Sequence, residues 1–182
     1  MEKMIILDRD GVINHDSDDY IKSAEEWMPI PGSLAAISQL KQAGYLVTIA
    51  TNQSGIGRGL FSEQALRDIH AKMTQMLTIQ GTSIDGIYYC PHHPQANCLC
   101  RKPQPGLLLS IAEDFDIDLT KTPFVGDKIS DIKTAELARA KPILLKTGQG
   151  EQVIQNNPEA ANVPVYDDLA HFVRDTLDNR PV

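Results

Sequence analysis

Short apolar runs alternate with stretches of helical periodicity along the chain, and this alternation restricts its fold more than any other feature. Five apolar runs have the length of buried strands. They are MIILD (4–8), YLVTIAT (45–51), GIYYC (86–90), TPFVGD (122–127) and PILLKTG (142–148). A β-α-β-α order predicts an α/β fold, a doubly wound parallel sheet with helices on both of its faces. Ligands of such sheets bind beyond the carboxyl ends of the strands.

The helices are predicted from apolar residues that recur every three or four positions. One helix begins after Pro31-Gly32, a second follows the N-cap Ser62, a third contains Leu108 and a fourth spans 130–139. The chain closes with VPVYDDLAHFV, which predicts a short strand and a helix capped by Asp167 or Asp168. Residues 11–30 form a long connection between the first strand and the first helix.

The length of 182 residues predicts one domain over 1–182. No connection could hold a second domain of about 50 residues, so a site would be covered only by loops. The net charge of −7 disfavours nucleic acid and anionic membranes as partners but permits a small phosphorylated substrate. No apolar run approaches the roughly 20 residues of a membrane span, and the N-terminus lacks the build of a signal peptide. We therefore expect a cytoplasmic protein, and a monomer.

Polar and ionisable residues follow each of the first four predicted strands. They are Asp8-Arg9-Asp10-Gly11, Thr51-Asn52-Gln53-Ser54, a cysteine loop that leads to Arg101-Lys102, and Gly126-Asp127-Lys128 with Asp131 soon after. Contact with water would explain the polarity of any single strand end. Carboxylates, a hydroxyl and cations at four ends together indicate a site at one edge of the sheet.

These groups suit phosphoryl transfer. A carboxylate can attack phosphorus and form an aspartyl phosphate, and three carboxylates suit Mg²⁺, which neutralises phosphate charge. A hydroxyl and a lysine can hold the remaining phosphoryl oxygens. Asp10 lies two residues after Asp8 and can point to the same side of an extended chain, where it could protonate the leaving oxygen and later activate water. Gly11 permits a turn and the close approach of a ligand.

All three cysteines lie between residues 90 and 100, in the pattern Cys90-x-His92-x5-Cys98-x-Cys100. The odd count argues against a disulfide framework and for thiols used as ligands in a reducing compartment. Three thiols and one imidazole meet the needs of a closed tetrahedral Zn²⁺ site, which leaves no open position for water and so indicates a structural role. His92 fits the spacing, and His93 is the alternative ligand. The loop ends at Arg101-Lys102, so bound zinc would aim these cations at the phosphate.

The order and placement of these residues resemble the haloacid dehalogenase (HAD) superfamily. The four matching motifs are Asp8-x-Asp10-Gly11, Thr51 after an apolar strand, Lys102, and Gly126-Asp127-x-x-x-Asp131. The resemblance implies Asp8 as the nucleophile and Asp10 as the general acid and base. It implies that Mg²⁺ is held by the Asp8 carboxylate, the Asp10 backbone carbonyl and Asp127, and that Thr51 and Lys102 bind the phosphoryl group.

Within the superfamily, LDRDGVIN, YIKSAEEW, TNQSGIGRG, IYYCPHHP, CRKPQPG and VGDK are similar to segments of the D-glycero-D-manno-heptose 1,7-bisphosphate 7-phosphatases. This resemblance implies a Mg²⁺-dependent phosphatase that releases heptose 1-phosphate for nucleotide-heptose and lipopolysaccharide precursor synthesis. The implied substrate contacts are Asp16, Tyr20, Thr51, Asn52, Gln53, Ser54, Arg101, Lys102 and Lys128. The short zinc loop leaves the preference for the α or β anomer open.

Other functions remain as alternatives. The histidinol phosphatases share DRDG, TNQ, a zinc loop that can be equally short, and CRKP, whereas Ser54 with GIGRG and the EEW segment favour the heptose enzymes. A non-catalytic phospholigand-binding module would not need the intact Asp8, Asp10, Lys102 and Asp127. The acidic charge disfavours a nucleic-acid 3′-phosphatase. Asp18 or Asp19 could take the place of Asp16, and Arg58 faces either the substrate or solvent.

Overall fold

The structure is a computed structural model that describes residues 3–179. Its strands are β1 (Lys3–Leu7), β2 (Tyr45–Asn52), β3 (Gly86–Cys90), β4 (Pro123–Gly126), β5 (Lys141–Leu145) and β6 (Val165–Tyr166). They form one sheet in the order β3-β2-β1-β4-β5-β6, and every neighbouring pair is parallel. The predicted doubly wound parallel sheet is thus confirmed.

Seven α-helices connect or follow the strands within the described part of the chain. They are α1 (Ser33–Gln42), α2 (Ser54–Gly57), α3 (Glu63–Ile79), α4 (Gly106–Phe115), α5 (Ile129–Ala138), α6 (Gly150–Asn156) and α7 (Leu169–Asp178). The Ser62 hydroxyl accepts from the Ala65 amide at 3.1 Å, so the predicted cap of α3 is present. Asp168 rather than Asp167 caps α7, because its Oδ1 accepts from the His171 amide at 2.7 Å.

The hydrophobic core lies on both faces of the sheet because side chains alternate along each buried strand. Ile5 and Leu7 of β1 belong to a cluster that includes residues of α1, α3 and α7. Met4 and Ile6 point to the opposite face and join a second cluster with residues of α4 and α5. Each fully buried aliphatic side chain of this kind contributes about 1.5–3 kcal/mol to stability.

The structure differs from the prediction near the end of the fifth strand. We predicted a strand over 142–148, but β5 ends at Leu145. Gly148 has a positive φ of 59°, and the chain turns there and enters α6. Neither α6 nor α2 was predicted, because helices of this length are too short to show a clear apolar period. No helix within residues 3–179 combines the length and the apolar character that crossing a membrane requires.

The strand order reverses between β1 and β4. The chain runs outward from β1 through β2 to β3 on one side, and from β4 through β5 to β6 on the other. A crevice for ligands forms at the carboxyl ends of the two strands that flank such a reversal. Asp8 is the first residue after β1 and Asp127 the first after β4, so both lie at this crevice.

Candidate active site

Asp8 is fixed at the end of β1 by the neighbouring strand. Its amide donates to the Val125 carbonyl of β4 at 2.8 Å, and its Oδ1 accepts from the Arg9 amide at 2.7 Å. The residue is only 3% exposed. Burial raises the pKa of this carboxyl, and the cation of Lys102 opposes the shift. The result is a carboxylate held in one orientation on a rigid strand.

Lys102 lies between two buried carboxylates. Its Nζ is 2.9 Å from Asp8 Oδ2 and 2.7 Å from Asp131 Oδ1, and it also donates to the Ala50 carbonyl at 3.0 Å. Burial alone would lower the pKa of Lys102, but Asp131 and Asp8 raise it, so the ammonium is charged. Asp131 was predicted only as a member of the motif after β4, without a role of its own. In the structure its Oδ2 also accepts from the Asp127 and Lys128 amides, at 3.2 and 3.0 Å.

Asp127 completes a cluster of carboxylates that fits a cation. Carboxylate oxygens of Asp8, Asp127 and Asp131 lie within 4.8 Å of one another. Asp127 Oδ2 accepts from the Gln149 amide at 2.9 Å, whereas its buried Oδ1 has no hydrogen-bond partner. Burial raises the pKa of Asp127 well above its ordinary value. This oxygen lies 4.0 Å from Lys128 Nζ, which is too far for a hydrogen bond. A buried carboxylate oxygen without a hydrogen-bond partner, among hard carboxylate ligands, is one that Mg²⁺ would satisfy, so the residues fit that ion.

Gly11 explains how the chain passes so close to this cluster. Its φ is 84°, and a Cβ at this position would collide with the Asp127 carboxylate. The backbone is held there because the Thr147 hydroxyl donates to the Gly11 carbonyl at 2.6 Å. Any other residue at position 11 would therefore be strained and would also displace the Asp127 carboxylate.

Asp10 occupies a separate position, surrounded by hydrogen-bond donors. Arg9 Nη2 donates to both Asp10 oxygens at 2.8 and 2.9 Å, and Arg9 Nε donates to Oδ1 at 3.1 Å. Asn14 Nδ2 donates to Oδ1 at 2.8 Å, and Gln53 Nε2 to Oδ2 at 2.9 Å. Burial alone would raise the pKa of Asp10, but Arg9 and Asn14 lower it below its ordinary value. The ionised carboxylate is thus strongly favoured.

The residues after β2 connect this carboxylate to the rest of the site. Gln53 Nε2 donates to Thr51 Oγ1 at 3.0 Å as well as to Asp10. Asn52 exchanges two hydrogen bonds with the Lys102 backbone, at 3.0 and 3.1 Å. Thr51 is 1% exposed, so it lies beneath the cleft rather than at its rim.

A cleft of about 340 Å³ opens above these groups. Nine of the predicted site residues line it: Asp10, Asp16, Tyr20, Asn52, Gln53, Ser54, Arg101, Lys102 and Lys128. Lys128 Nζ pairs with Asp16 Oδ2 at 2.9 Å and so links the 11–30 connection to the end of β4. Asp18 also lines the cleft, whereas Asp19 and Arg58 do not. Tyr20 has a φ of 66°, which is rare for a residue with a side chain and marks a constrained turn at the cleft.

The cysteine loop forms the second cluster of potential metal ligands. Ligand atoms of Cys90, His92, Cys98 and Cys100 lie within 4.8 Å of one another, with Sγ–Sγ distances of 3.1–3.6 Å. His93 lies apart from them, and its Nδ1 accepts from the Gln95 amide. Three thiols and one imidazole in this arrangement fit a closed tetrahedral zinc site.

The loop is anchored to the elements that carry the carboxylate site. The Gly57 amide of α2 donates to the Pro91 carbonyl at 2.8 Å, and the Gln53 amide donates to the Cys90 carbonyl at 2.8 Å. At the other end of the loop, the Gly106 amide of α4 donates to the Leu99 carbonyl at 3.0 Å. The loop is thus bonded directly to Gln53, and it leads into Lys102 along the chain.

Three residues that contact Asp10, directly or through Arg9, were not predicted from the sequence. Arg9 is fully buried despite its charge, Asn14 is fully buried, and His70 of α3 contacts Arg9. The position of Arg9 between two aspartates was the one feature of the sequence that could have indicated its role. A sequence does not reveal, however, that such a side chain is buried. A single histidine in a helix gives no signal of this kind.

Comparisons of the sequence with known proteins identify a matching family and similar relatives. The HAD-hydrolase-like family matches residues 99–172. A D-glycero-beta-D-manno-heptose-1,7-bisphosphate 7-phosphatase of Pseudomonas putida is 47% identical over 175 residues, which cover 96% of this chain and 99% of the relative. A relative with the same name from Pseudomonas aeruginosa is 47% identical over 167 residues, which cover 92% of this chain and 93% of the relative.

Solved structures extend the likeness to three dimensions. The D,D-heptose 1,7-bisphosphate phosphatase of Bordetella bronchiseptica, crystallised with magnesium and phosphate, aligns with a TM-score of 0.95 at 44% identity, over 98% of this chain and 99% of that one. The corresponding phosphatase of Burkholderia thailandensis aligns with a TM-score of 0.78 at 38% identity, over 98% of this chain and 100% of that one.

Proposed function

The chain belongs to the family of the D-glycero-beta-D-manno-heptose-1,7-bisphosphate 7-phosphatases, and we propose that it hydrolyses the 7-phosphate of this heptose bisphosphate through an aspartyl phosphate on Asp8. One observation carries the mechanism: Asp8 is fixed at the switch point of the sheet, paired with Lys102, within 4.8 Å of Asp127 and Asp131. The relatives' names specify the β anomer, and we propose the same preference for this chain.

In the first step the Asp8 carboxylate attacks the phosphorus and the bond to the heptose oxygen breaks. Lys102 and the Thr51 hydroxyl hold phosphoryl oxygens, where the buried ammonium offsets their charge. Mg²⁺ would be held by Asp8, the Asp10 backbone carbonyl and Asp127, and when bound it would neutralise the phosphate charge that otherwise repels an anionic nucleophile. Magnesium in the Bordetella bronchiseptica structure supports this ion.

Asp10 would act as the general acid in the first step and as the general base in the second. It gives a proton to the leaving oxygen in the first step. In the second step it takes a proton from the water that attacks the phosphorus, while the bond between Asp8 and the phosphorus breaks, phosphate leaves and the Asp8 carboxylate is regenerated. Its lowered pKa favours the ionised form, which is the form that serves the second step. For the first step Asp10 must be protonated, and a protonated carboxyl can no longer accept from every donor that Arg9, Asn14 and Gln53 present to it.

Zinc has a structural role in this proposal. Cys90, His92, Cys98 and Cys100 would hold Zn²⁺ with no ligand position left for water. The anchored loop would then keep Lys102 and Arg101 at the cleft.

Substrate selection depends on the loops around the cleft. We propose that Asp16, Tyr20, Asn52, Gln53, Ser54, Arg101 and Lys128, all of which line the cleft, contact the sugar or its second phosphate. A terminal primary phosphate can reach Asp8 while the ring stays at the rim. The second phosphate would then meet Arg101, whose Nη1 is buried without a hydrogen-bond partner. This charge-assisted contact would favour the bisphosphate by roughly 1.5–3 kcal/mol.

We propose a single domain over 1–182 without a cap, acting as a monomer in the cytoplasm. Its product, heptose 1-phosphate, would enter nucleotide-heptose synthesis for lipopolysaccharide.

The decisive experiment measures phosphate release from several substrates with one enzyme preparation. Heptose 1,7-bisphosphate should be used with the highest kcat/KM, ahead of histidinol phosphate, hexose bisphosphates and a 3′-phosphorylated oligonucleotide. Identification of heptose 1-phosphate as the product would establish the regiochemistry. Faster turnover of histidinol phosphate would make the chain a histidinol phosphatase instead.

A further inference from the structure

The contacts of Asp10 continue through Arg9 to a histidine on α3. Arg9 donates to Asp10 from Nε and Nη2, along one edge of the guanidinium. Its other terminal nitrogen, Nη1, lies 3.3 Å from Nε2 of His70. A guanidinium has no acceptor atom, so Nη1 donates and Nε2 accepts. The His70 ring is therefore neutral and carries its proton on Nδ1. In agreement with this, burial, followed by the charge of Arg9, lowers the pKa of His70 to about 4.

We propose that His70 is a positioning residue for the acid–base carboxylate of Asp10 and acts on it through Arg9. The inference rests on the proposed role of Asp10. A planar guanidinium orients a carboxylate only when its own plane is fixed. Asp10 accepts from one edge of Arg9, and within residues 3–179 His70 is the one hydrogen-bond acceptor found for Nη1. Without His70, Arg9 could rotate and take the Asp10 carboxylate with it.

The surroundings of His70 are suited to this task. Ile69, the preceding residue of α3, is completely buried in the core, so the helix cannot shift easily. The ring of Tyr89 on β3 meets the His70 ring at an interplanar angle of 63°, with 6.2 Å between the centroids. Packing therefore determines where Nε2 points, and the guanidinium adapts to it.

The leaving group of the substrate provides a test that separates this role from a general loss of structure. The 7-phosphate ester has a poor alkoxide leaving group that needs a proton from Asp10, whereas p-nitrophenolate leaves without one. His70→Leu should lower kcat/KM for heptose bisphosphate about 10-fold, a fraction of the ~10²–10⁴-fold that acid–base catalysis supplies. It should lower kcat/KM for p-nitrophenyl phosphate by less than about 3-fold. His70→Gln should largely restore the wild-type values, because the Gln Oε1 can accept from Arg9.

The ratio of the two kcat/KM values is measured on one preparation and so does not depend on the fraction that is folded. Met73→Ala is the matched control, since Met73 is buried on the same helix and has no hydrogen bond to Arg9; it should leave the ratio unchanged. Equal losses with both substrates in His70→Leu, or no recovery in His70→Gln, would overturn the inference.

Asp10→Asn distinguishes the inference from the proposal beneath it. It should show the same selective loss as His70→Leu, but larger. If Asp10→Asn is selective and His70→Leu is not, only the role of His70 is wrong. If Asp10→Asn impairs both substrates equally, the proposed acid role of Asp10 fails first, and the inference fails with it.

Discussion

Replacing Lys102 with methionine should destabilise the protein strongly, because it removes a cation that lies between two buried carboxylates. Lys102 Nζ lies 2.9 Å from Asp8 and 2.7 Å from Asp131, and all three residues are at most 3% exposed. At an effective dielectric constant of about 20, each contact corresponds to roughly 6 kcal/mol of Coulomb energy, most of which offsets the cost of removing the charges from water. Breaking a buried pair costs about 3–5 kcal/mol, so we expect that loss in the free energy of unfolding.

Such a loss is large against the 5–15 kcal/mol that a typical domain has in total, and it should lower Tm by roughly 6–20 °C. Urea unfolding of magnesium-free protein with zinc still bound, at pH 7, would measure it. Added Mg²⁺ should stabilise Lys102→Met more than it stabilises wild type, because the variant no longer places an ammonium beside the carboxylates that bind the ion. Turnover should be lost, since Lys102 is a proposed phosphoryl ligand.

Lys133→Met is the matched control. Lys133 also pairs with a carboxylate, Glu159 at 3.2 Å, but both side chains are about half exposed. Exposed pairs contribute about 0–1 kcal/mol, so this variant should unfold almost like wild type. If Lys102→Met also lost less than about 1 kcal/mol, the buried cation would not be stabilising the cluster. A smaller Mg²⁺ effect in Lys102→Met than in wild type would contradict the electrostatic reasoning.

Four further predictions test other parts of the structure. Asp8→Asn should keep the fold, because Lys102 still pairs with Asp131, and it should lose turnover, because an amide is a poor nucleophile; substantial phosphate release would exclude attack by Asp8. Mild EDTA treatment should stop turnover while zinc stays bound, and Mg²⁺ should restore it, whereas Cys98→Ser should unfold at lower urea, because structural zinc contributes to folding. The pKa of His70 falls from 6.5 to about 4 on folding, so the stability it contributes is complete above pH 6.5 and is lost as the pH falls towards 4. The loss should reach about 3 kcal/mol, and comparing urea unfolding of wild type and His70→Gln at pH 7 and 4.5 would reveal it.

Local sequence patterns determined the sheet and the residues at its edge. Apolar runs and helical periods depend on neighbours a few positions apart, so they predicted five strands and the helices between them. Because parallel strands end at one edge of the sheet, the residues after each strand were expected to meet there, and Asp8, Lys102 and Asp127 do. The same reasoning left the short α2 and α6 undetected and extended β5 to residue 148.

Contacts between distant segments were decided only by the tertiary structure. The pairing of Lys128 with Asp16 rather than with Asp18 or Asp19 depends on the path of the 11–30 connection over the cleft. Likewise His92, and not His93, lies among the cysteines, whereas His93 Nδ1 accepts from the Gln95 amide. The contact of Arg9 with His70 joins residues 61 positions apart. No local sequence period predicts a contact between residues so far apart in the chain. The order of the strands and the packing of α3 against them bring the two residues together.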